Sequence, residues 1–165
     1  MRHDIVALFR QLTYGVYVIG VADGERRNAF TAAWLMQVSF DPLLVALSIN
    51  PAHRSYRILT GGKTFSVNVL RDDQIELARH FGTPGQGNRL ATVPWSAKTT
   101  GAPVLTEALA YLDCELAYTC PAGDHDLALG RVVDGAILAP DATPLTYRAT
   151  GDMDGSSLLY PETFT

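Results

Sequence analysis

Three short clusters carry side chains fit for chemistry: His53-Arg54-Ser55, Thr31-Ala32-Ala33-Trp34 and Gly123-Asp124-His125. An arginine forks onto phosphate oxygens, and a serine at a helix start brings a hydroxyl and free backbone N–H groups. His53, Arg54 and Ser55 are therefore candidates for an anion clamp. A solvated turn with a helix cap is the competing account. Thr31 offers a hydroxyl, Ala32 and Ala33 let a ligand approach the backbone, and Trp34 can flank a planar ring. Core packing would use the same four residues. His125 sits at a hairpin tip, where an imidazole titrates near neutral pH. A plain turn with an exposed ring is the alternative there.

Other chemistries lack their residues. There is no GxGxxG after a strand, no GxxxxGK[ST], no HExxH and no GxSxG. His3, His53, His80 and His125 lie far apart, and no cysteine–histidine spacing suits a metal, so no metal is expected. Cys114 and Cys120 do not make a CxxC pair. On one strand they would sit ~20 Å apart, too far for a disulfide. Two free thiols in a reducing compartment are expected.

A chain of 165 residues with 47% hydrophobic and 18% charged residues reads as one globular domain, 1–165. Its net charge of −4 and lack of a basic run argue against generic nucleic-acid binding. No apolar run approaches membrane-spanning length, and MRHDIVALFRQL is too polar for a secretory signal. No membrane association and a cytoplasmic location are the expectation.

The elements that must position the clusters follow from periodicity and turn residues. Asp4 is expected to cap a short helix with Ile5, Leu8, Phe9 and Leu12 at helical spacing. VYVIGVA (16–22) reads as a strand, Asp23-Gly24 as a hairpin turn, and Asn28–Ala33 as the return. Ser39-Phe40-Asp41-Pro42 reads as a loop, and LLVALSI (43–49) as a central strand. Ser55–Thr60 suggests a helix stopped by Gly61-Gly62, then a strand over 64–70. Asp72 or Asp73 should cap a helix through Phe81, with Ile75, Ala78 and Phe81 inward. Gly82–Pro103 is expected as a long loop, functional or mobile, with a surface Ω-type excursion pinned by Trp95 as the competing account. Leu112, Cys114, Leu116 and Tyr118 alternate with Asp113, Glu115, Ala117 and Thr119, starting a long hairpin that returns over 127–137. A last strand is expected near Leu145–Arg148. The result is a mainly β, antiparallel, closed or nearly closed barrel with two or three short helices.

Taken in order, these pieces resemble the flavin reductase-like family, the FMN-binding split β-barrels with Greek-key-like topology. GVYVIGVADGERRNAFTAAWLMQVSFDPLLVALSI is similar to the family's opening, with a Gly-Val strand, a turn, small residues plus Thr, and Ser-x-x-Pro before an apolar strand. PAHRSYRILTGGKTFSVNVL resembles the next block, a basic–hydroxyl cluster before a short helix and an F-x-V-N strand. DDQIELARHFG looks like the family helix and GDHDLALGRVVDG like its Gly-Asp-His hairpin. The match covers roughly residues 5–148. Where the family usually has Arg/Lys-x-Thr, this chain has His53-Arg54-Ser55, and its tail after Arg148 matches weakly.

The resemblance implies FMN, or FAD in some members, with NAD(P)H as co-substrate and a homodimer whose interface builds the site. The cofactor-binding residues it points to are Asn28, Ala29, Thr31, Ala32, Ala33, Trp34, Ser39, Ser48, Asn50, His53, Arg54 and Ser55. It places His125 beside the flavin, on the nicotinamide side, as the catalytic candidate. The implied activity is an NAD(P)H:flavin oxidoreductase, with a separate monooxygenase as one recipient of reduced flavin. A non-catalytic FMN-binding electron carrier is the second reading.

Overall fold

Strand β1 (Tyr17–Asp23) forms where apolar residues face both ways. Tyr17, Ile19 and Val21 turn toward one cluster, while Val16 and Val18 turn toward another. A strand apolar on both faces must be covered on both sides. The computed structural model, which describes residues 1–85 and 87–164, supplies both covers.

The chain returns through the expected hairpin into β2 (Arg26–Ala32), pairing Asp23 with Arg26. Next come β3 (Leu35–Ser39), β4 (Leu44–Ile49), α2 (Arg54–Gly62) and β5 (Thr64–Val69), with α1 (Arg2–Phe9) at the start of the chain. Helix α3 (Ile75–Gly82) precedes a short hairpin of β6 (Trp95–Ala97) and β7 (Pro103–Leu105). The long hairpin is β8 (Ala110–Ala122) and β9 (His125–Ile137). Seven strands form one antiparallel sheet in the order β2-β1-β5-β8-β9-β4-β3. Phe30 of β2 and Val45, Leu47 and Ile49 of β4 share one buried cluster with Ile19, Phe65, Val67 and Leu59 of α2. Strands from both ends of the sheet thus meet over one core, and the sheet curls into a split barrel. The second core, with Val16, Val18, Leu70, Ala78, Phe81 and Leu105, lies outside the barrel under α3 and β7.

Several expectations are corrected. Asp4 does not cap α1; Met1 is the N-cap, and Asp4 lies in the first turn. Ile5 and Val6 are buried, whereas Leu8, Phe9 and Leu12 are exposed, because the helix ends at Phe9 and rests on its earlier turn. Residues 35–39 form an unforeseen strand, and β4 lies one strand in from the edge instead of at the centre. Helix α2 runs through Gly61-Gly62, and Lys63 takes the left-handed cap at φ 56. Gly62 serves close packing instead: a Cβ there would lie 1.8 Å from the Ala22 carbonyl oxygen. Neither Asp72 nor Asp73 caps α3; Asp73 pairs with Arg71, and Gln74 takes the N-cap position.

The 82–103 segment is not a bare loop. It holds a 3-10 turn (Arg89–Thr92) and the β6–β7 hairpin, with Arg27 stacked 5.6 Å from the Trp95 ring centroid. Bulges at Asp113/Cys114 and Leu116/Tyr118 break the alternation in β8. They turn Asp113 fully inward, where its carboxylate accepts from Thr100 N at 2.8 Å and Thr100 Oγ1 at 2.5 Å. Near Leu145–Arg148 there are only bridges, Gly15–Thr146 and Arg71–Pro144, and a 3-10 turn over Tyr147–Thr150. Cys114 and Cys120 are both free. Among the described residues no helix is long and apolar enough to cross a membrane.

Candidate functional site

As an edge strand, β2 leaves alternate backbone N–H and C=O groups without sheet partners. Three adjoining hollows open along it. One, ≈ 260 Å³, is lined by Phe30, Thr31, Ala32, Ala33, Trp34, Ser48, Ile49, Asn50, His53 and His125 on one side. Tyr147, Asp154, Ser156 and Leu159 of the C-terminal segment line the other. The second, ≈ 400 Å³, is lined by Asn28, Ala29, Phe30, His53, Arg54, Phe81 to Gly85 and Arg89. A third of ≈ 210 Å³ lies between Thr31–Ala33, Gly82–Pro84 and the residues Tyr147, Thr150, Met153 and Asp154.

Two imidazole–aromatic pairs flank the first hollow. The His53 and Phe30 ring centroids are 4.6 Å apart, and those of His125 and Trp34 are 5.2 Å apart. Gly123 takes φ +70 in the tight turn, so Ala122 pairs with His125 and the imidazole enters at the start of β9. His125 Nδ1 lies 2.7 Å from Asp124 Oδ1. That hydrogen bond, with the imidazole's charge, holds the Asp124 carboxyl below the usual range. With Nδ1 engaged by Asp124, Nε2 is the ring's remaining polar atom. Tyr56 OH donates to Asp126 Oδ2 at 2.5 Å, tying α2 to the same end of β9.

The second hollow is a cationic corner. His53 is the N-cap of α2, and its Nδ1 accepts from Ser55 N at 3.1 Å. Burial of its Phe30-facing side, with the neighbouring Arg54 charge, holds His53 below its ordinary pKa of 6.5. It is therefore neutral at pH 7, and its other nitrogen carries the proton. Asn28 Nδ2 donates to Ser55 Oγ at 2.7 Å, and Asn28 Oδ1 accepts from Arg54 Nη2 at 3.0 Å. Ser55 is fully buried. Its hydroxyl and N–H are thus both engaged inside the protein. Ser55 sets Asn28, Asn28 Oδ1 and more loosely the Gly87 carbonyl accept from Arg54 Nη2, and Arg54 lines the hollow.

The candidates named from sequence separate accordingly. Asn28, Ala29, Thr31, Ala32, Ala33, Trp34, Ser48, Asn50, His53, Arg54 and His125 line the groove. Thr31 lines it with its hydroxyl committed to the Ala78 carbonyl at 2.6 Å. Asn50 Oδ1 accepts from Ala52 N and shapes the turn into α2. Ser55 stands behind the wall. Ser39 is not brought there: it ends β3, five residues or ~16 Å of strand from Trp34.

Arg89, the Gly82–Gly85 strap, Tyr147 and Asp154 were not foreseen. The long 82–103 segment was the one sequence signal for the first two. No local signal marks the tail, which reaches the cleft through Tyr147. Its hydroxyl donates to Asp154 Oδ2 at 2.8 Å, and burial pushes the phenol up to about 12. Among the described residues, no cluster of three or more His, Cys, Asp or Glu side chains could hold a metal ion.

Comparison with known proteins bears on this groove. High molecular weight rubredoxin of Moorella thermoacetica is 33% identical over 140 residues, 82% of this chain and 61% of that protein. Diflavin flavoprotein A 1 of Synechocystis sp. is 29% identical over 153 residues, 90% of this chain and 27% of that protein. The chain thus spans less than two thirds of these curated relatives. The NADH:FAD oxidoreductase of Streptomyces globisporus C-1027 superposes with a TM-score of 0.82 at 29% identity, covering 90% of each chain. The FMN-binding protein of Thermus thermophilus with bound 1-cyclohex-2-enone gives 0.72 at 31% identity, over 78% of this chain and 73% of that one. With a curled antiparallel sheet, a cleft along its edge strand and a family model matching residues 9–155, the chain belongs to the flavin reductase like domain family.

Proposed function

We propose that the protein is an NAD(P)H-dependent flavin reductase, binding FMN or FAD along the free edge of β2. The observation that carries this is the pairing of two hollows. A narrow one between His53–Phe30 and His125–Trp34 adjoins a second that holds Arg54 and no carboxylate among its described lining residues. These residues fit a planar ring with a phosphorylated tail. Ala32 and Ala33 leave the backbone open to a ring edge, and Arg54 offers a fork for phosphate.

When bound, the flavin supplies the chemistry, accepting a hydride from the nicotinamide. The protein's share is positioning and electrostatics. Free backbone N–H groups of β2 and the residues following it can stabilise negative charge as it develops on the ring. Arg54, set by Asn28, anchors the phosphate. His125, held by Asp124, presents Nε2 to the nicotinamide side and packs with Trp34 at the mouth. No acid–base triad is needed. The tail residues Asp154, Ser156 and Leu159 form the opposite wall, which stays open to solvent.

We assign residues 1–165 to one such domain, acting as a homodimer. Edge strand β3 and the turn after it expose Met36, Val38, Phe40 and Leu43, with Phe40 89% exposed. An apolar, unpaired sheet edge suits burial against a second copy. Trp34, 44% exposed, adjoins this face; Trp95 is half-buried under Arg27 and is the weaker interface candidate. Light scattering at micromolar concentration should give about twice the chain mass of 17.9 kDa. The two free cysteines suit a reducing, cytoplasmic setting. Reduced flavin leaving the open cleft would serve a separate monooxygenase.

Steady-state NAD(P)H oxidation with added FMN or FAD tests the reading. Catalytic oxidation that depends on flavin supports it. Tight flavin binding without turnover would favour the electron-carrier reading.

A further inference from the structure

We propose that Arg89 holds a second phosphate, so that the groove takes a dinucleotide diphosphate and favours FAD over FMN. This rests on the reading of the groove as a flavin site. Arg54 and Arg89 line the same hollow. Neither forms an ion pair with a described residue, whereas Arg2, Arg10, Arg26, Arg27, Arg71, Arg79 and Arg131 all do; Arg57 and Arg148 share that lack but line neither hollow. Two carboxylate-free guanidinium groups on one concave wall are a pronounced local excess in a chain of net charge −4.

Arg89 is also held in place. It opens a 3-10 turn capped by Asn88, whose Oδ1 accepts from Leu90 N at 3.1 Å, and Leu90 is buried. Arg89 Nη1 donates to the His80 carbonyl at 2.9 Å, and His80 Nε2 lies 2.9 Å from the Arg89 carbonyl. One donor is thus committed, and the other guanidinium donors remain for a ligand.

The hollow does not end at Arg89. It continues onto an open shelf of ≈ 470 Å³ lined by Arg79, His80, Thr83 and Arg89, with Glu76 paired to Arg79. A flavin mononucleotide ends at the phosphate that Arg54 would hold. A dinucleotide places a second phosphate further along, and its nucleoside needs room beyond. Arg89 and the shelf come in that order.

The test is flavin fluorescence quenching with riboflavin, FMN and FAD on the full chain, for wild type, Arg89→Ala and Arg89→Gln. The Gln variant keeps a donor for the His80 carbonyl and removes the charge, so it separates charge from support of α3. FAD should bind wild type at least about tenfold tighter than FMN, the scale of one hydrogen bond to a charged group. Both variants should lose that preference while FMN affinity stays within about twofold. Equal FMN and FAD affinity in wild type would overturn the proposal. So would equal weakening of both flavins in the variants, which would mean that the two arginines clamp one phosphate. A variant that raises KM for NADPH alone, with FAD binding intact, would assign Arg89 to a 2′-phosphate and overturn it too. Failure to bind riboflavin, FMN or FAD at all would overturn the flavin reading with it.

Discussion

Replacing Arg54 by Ala isolates the phosphate clamp from the rest of the groove. In the free protein the guanidinium is oriented by Asn28 Oδ1 at 3.0 Å and, more loosely, by the Gly87 carbonyl at 3.4 Å. Losing one hydrogen bond to a charged phosphate costs about 1.5–3 kcal/mol. At about 1.4 kcal/mol per tenfold, Kd for FMN should rise roughly 10- to 150-fold. Riboflavin has no phosphate and should bind variant and wild type alike. Truncation also leaves Asn28 Oδ1, on a residue 7% exposed, without its donor. That cost, on the order of 1 kcal/mol, falls on free and bound protein equally and appears in stability, not in Kd. Asn28→Ala should act in the same direction more weakly, because it releases the guanidinium without removing it. The readout is the ratio of FMN to riboflavin affinity by fluorescence titration, repeated at higher salt, where the phosphate-dependent part should shrink. A wild-type ratio near one, or equal losses for both ligands in Arg54→Ala, would refute the clamp.

Three other outcomes follow from the geometry. His125→Ala should leave FMN affinity nearly intact but raise KM for NAD(P)H or slow flavin reduction, by about tenfold per 1.4 kcal/mol lost; unchanged kinetics would make it a turn residue, and collapsed FMN binding would put it on the wrong side of the site. Gly130→Ala should destabilise the fold by about 1–3 kcal/mol, since a Cβ there would lie 2.3 Å from the Phe65 ring, a conflict a denaturant melt would reveal. Burial pushes the Cys114 thiol up to about 12, so at pH 8 a thiol reagent should titrate half-buried Cys120 in the native protein and reach Cys114 only after unfolding.

Much of the barrel was legible because its strands announce themselves. β1, β4 and β5 are apolar enough to need burial, and the β8–β9 hairpin has a two-residue Gly-Asp turn. β3 was not legible. Met36 and Val38 face outward, so no polar alternation marks the strand. The bulges that bury Asp113 were hidden for a related reason: a register shift turns a polar position inward without changing composition. At the site, His53-Arg54-Ser55 and Gly123-Asp124-His125 were visible as local chemistry. The place of Ser55 behind the wall was not. Ser55 reaches Arg54 only through Asn28, which β2 brings across the barrel mouth. Tyr147, Asp154 and Leu159 reach the cleft by chain return alone, and no spacing rule predicts such a meeting.

As a flavin reductase site, this groove must bring a nicotinamide onto a bound flavin. Anaerobic stopped-flow mixing of the flavin-loaded protein with NADH, and separately with NADPH, tests it most directly. The oxidised flavin band should bleach, saturably in at least one of the two nucleotides and more slowly in His125→Ala. A flavin that stays bound and oxidised with both nucleotides at saturating concentration would contradict it.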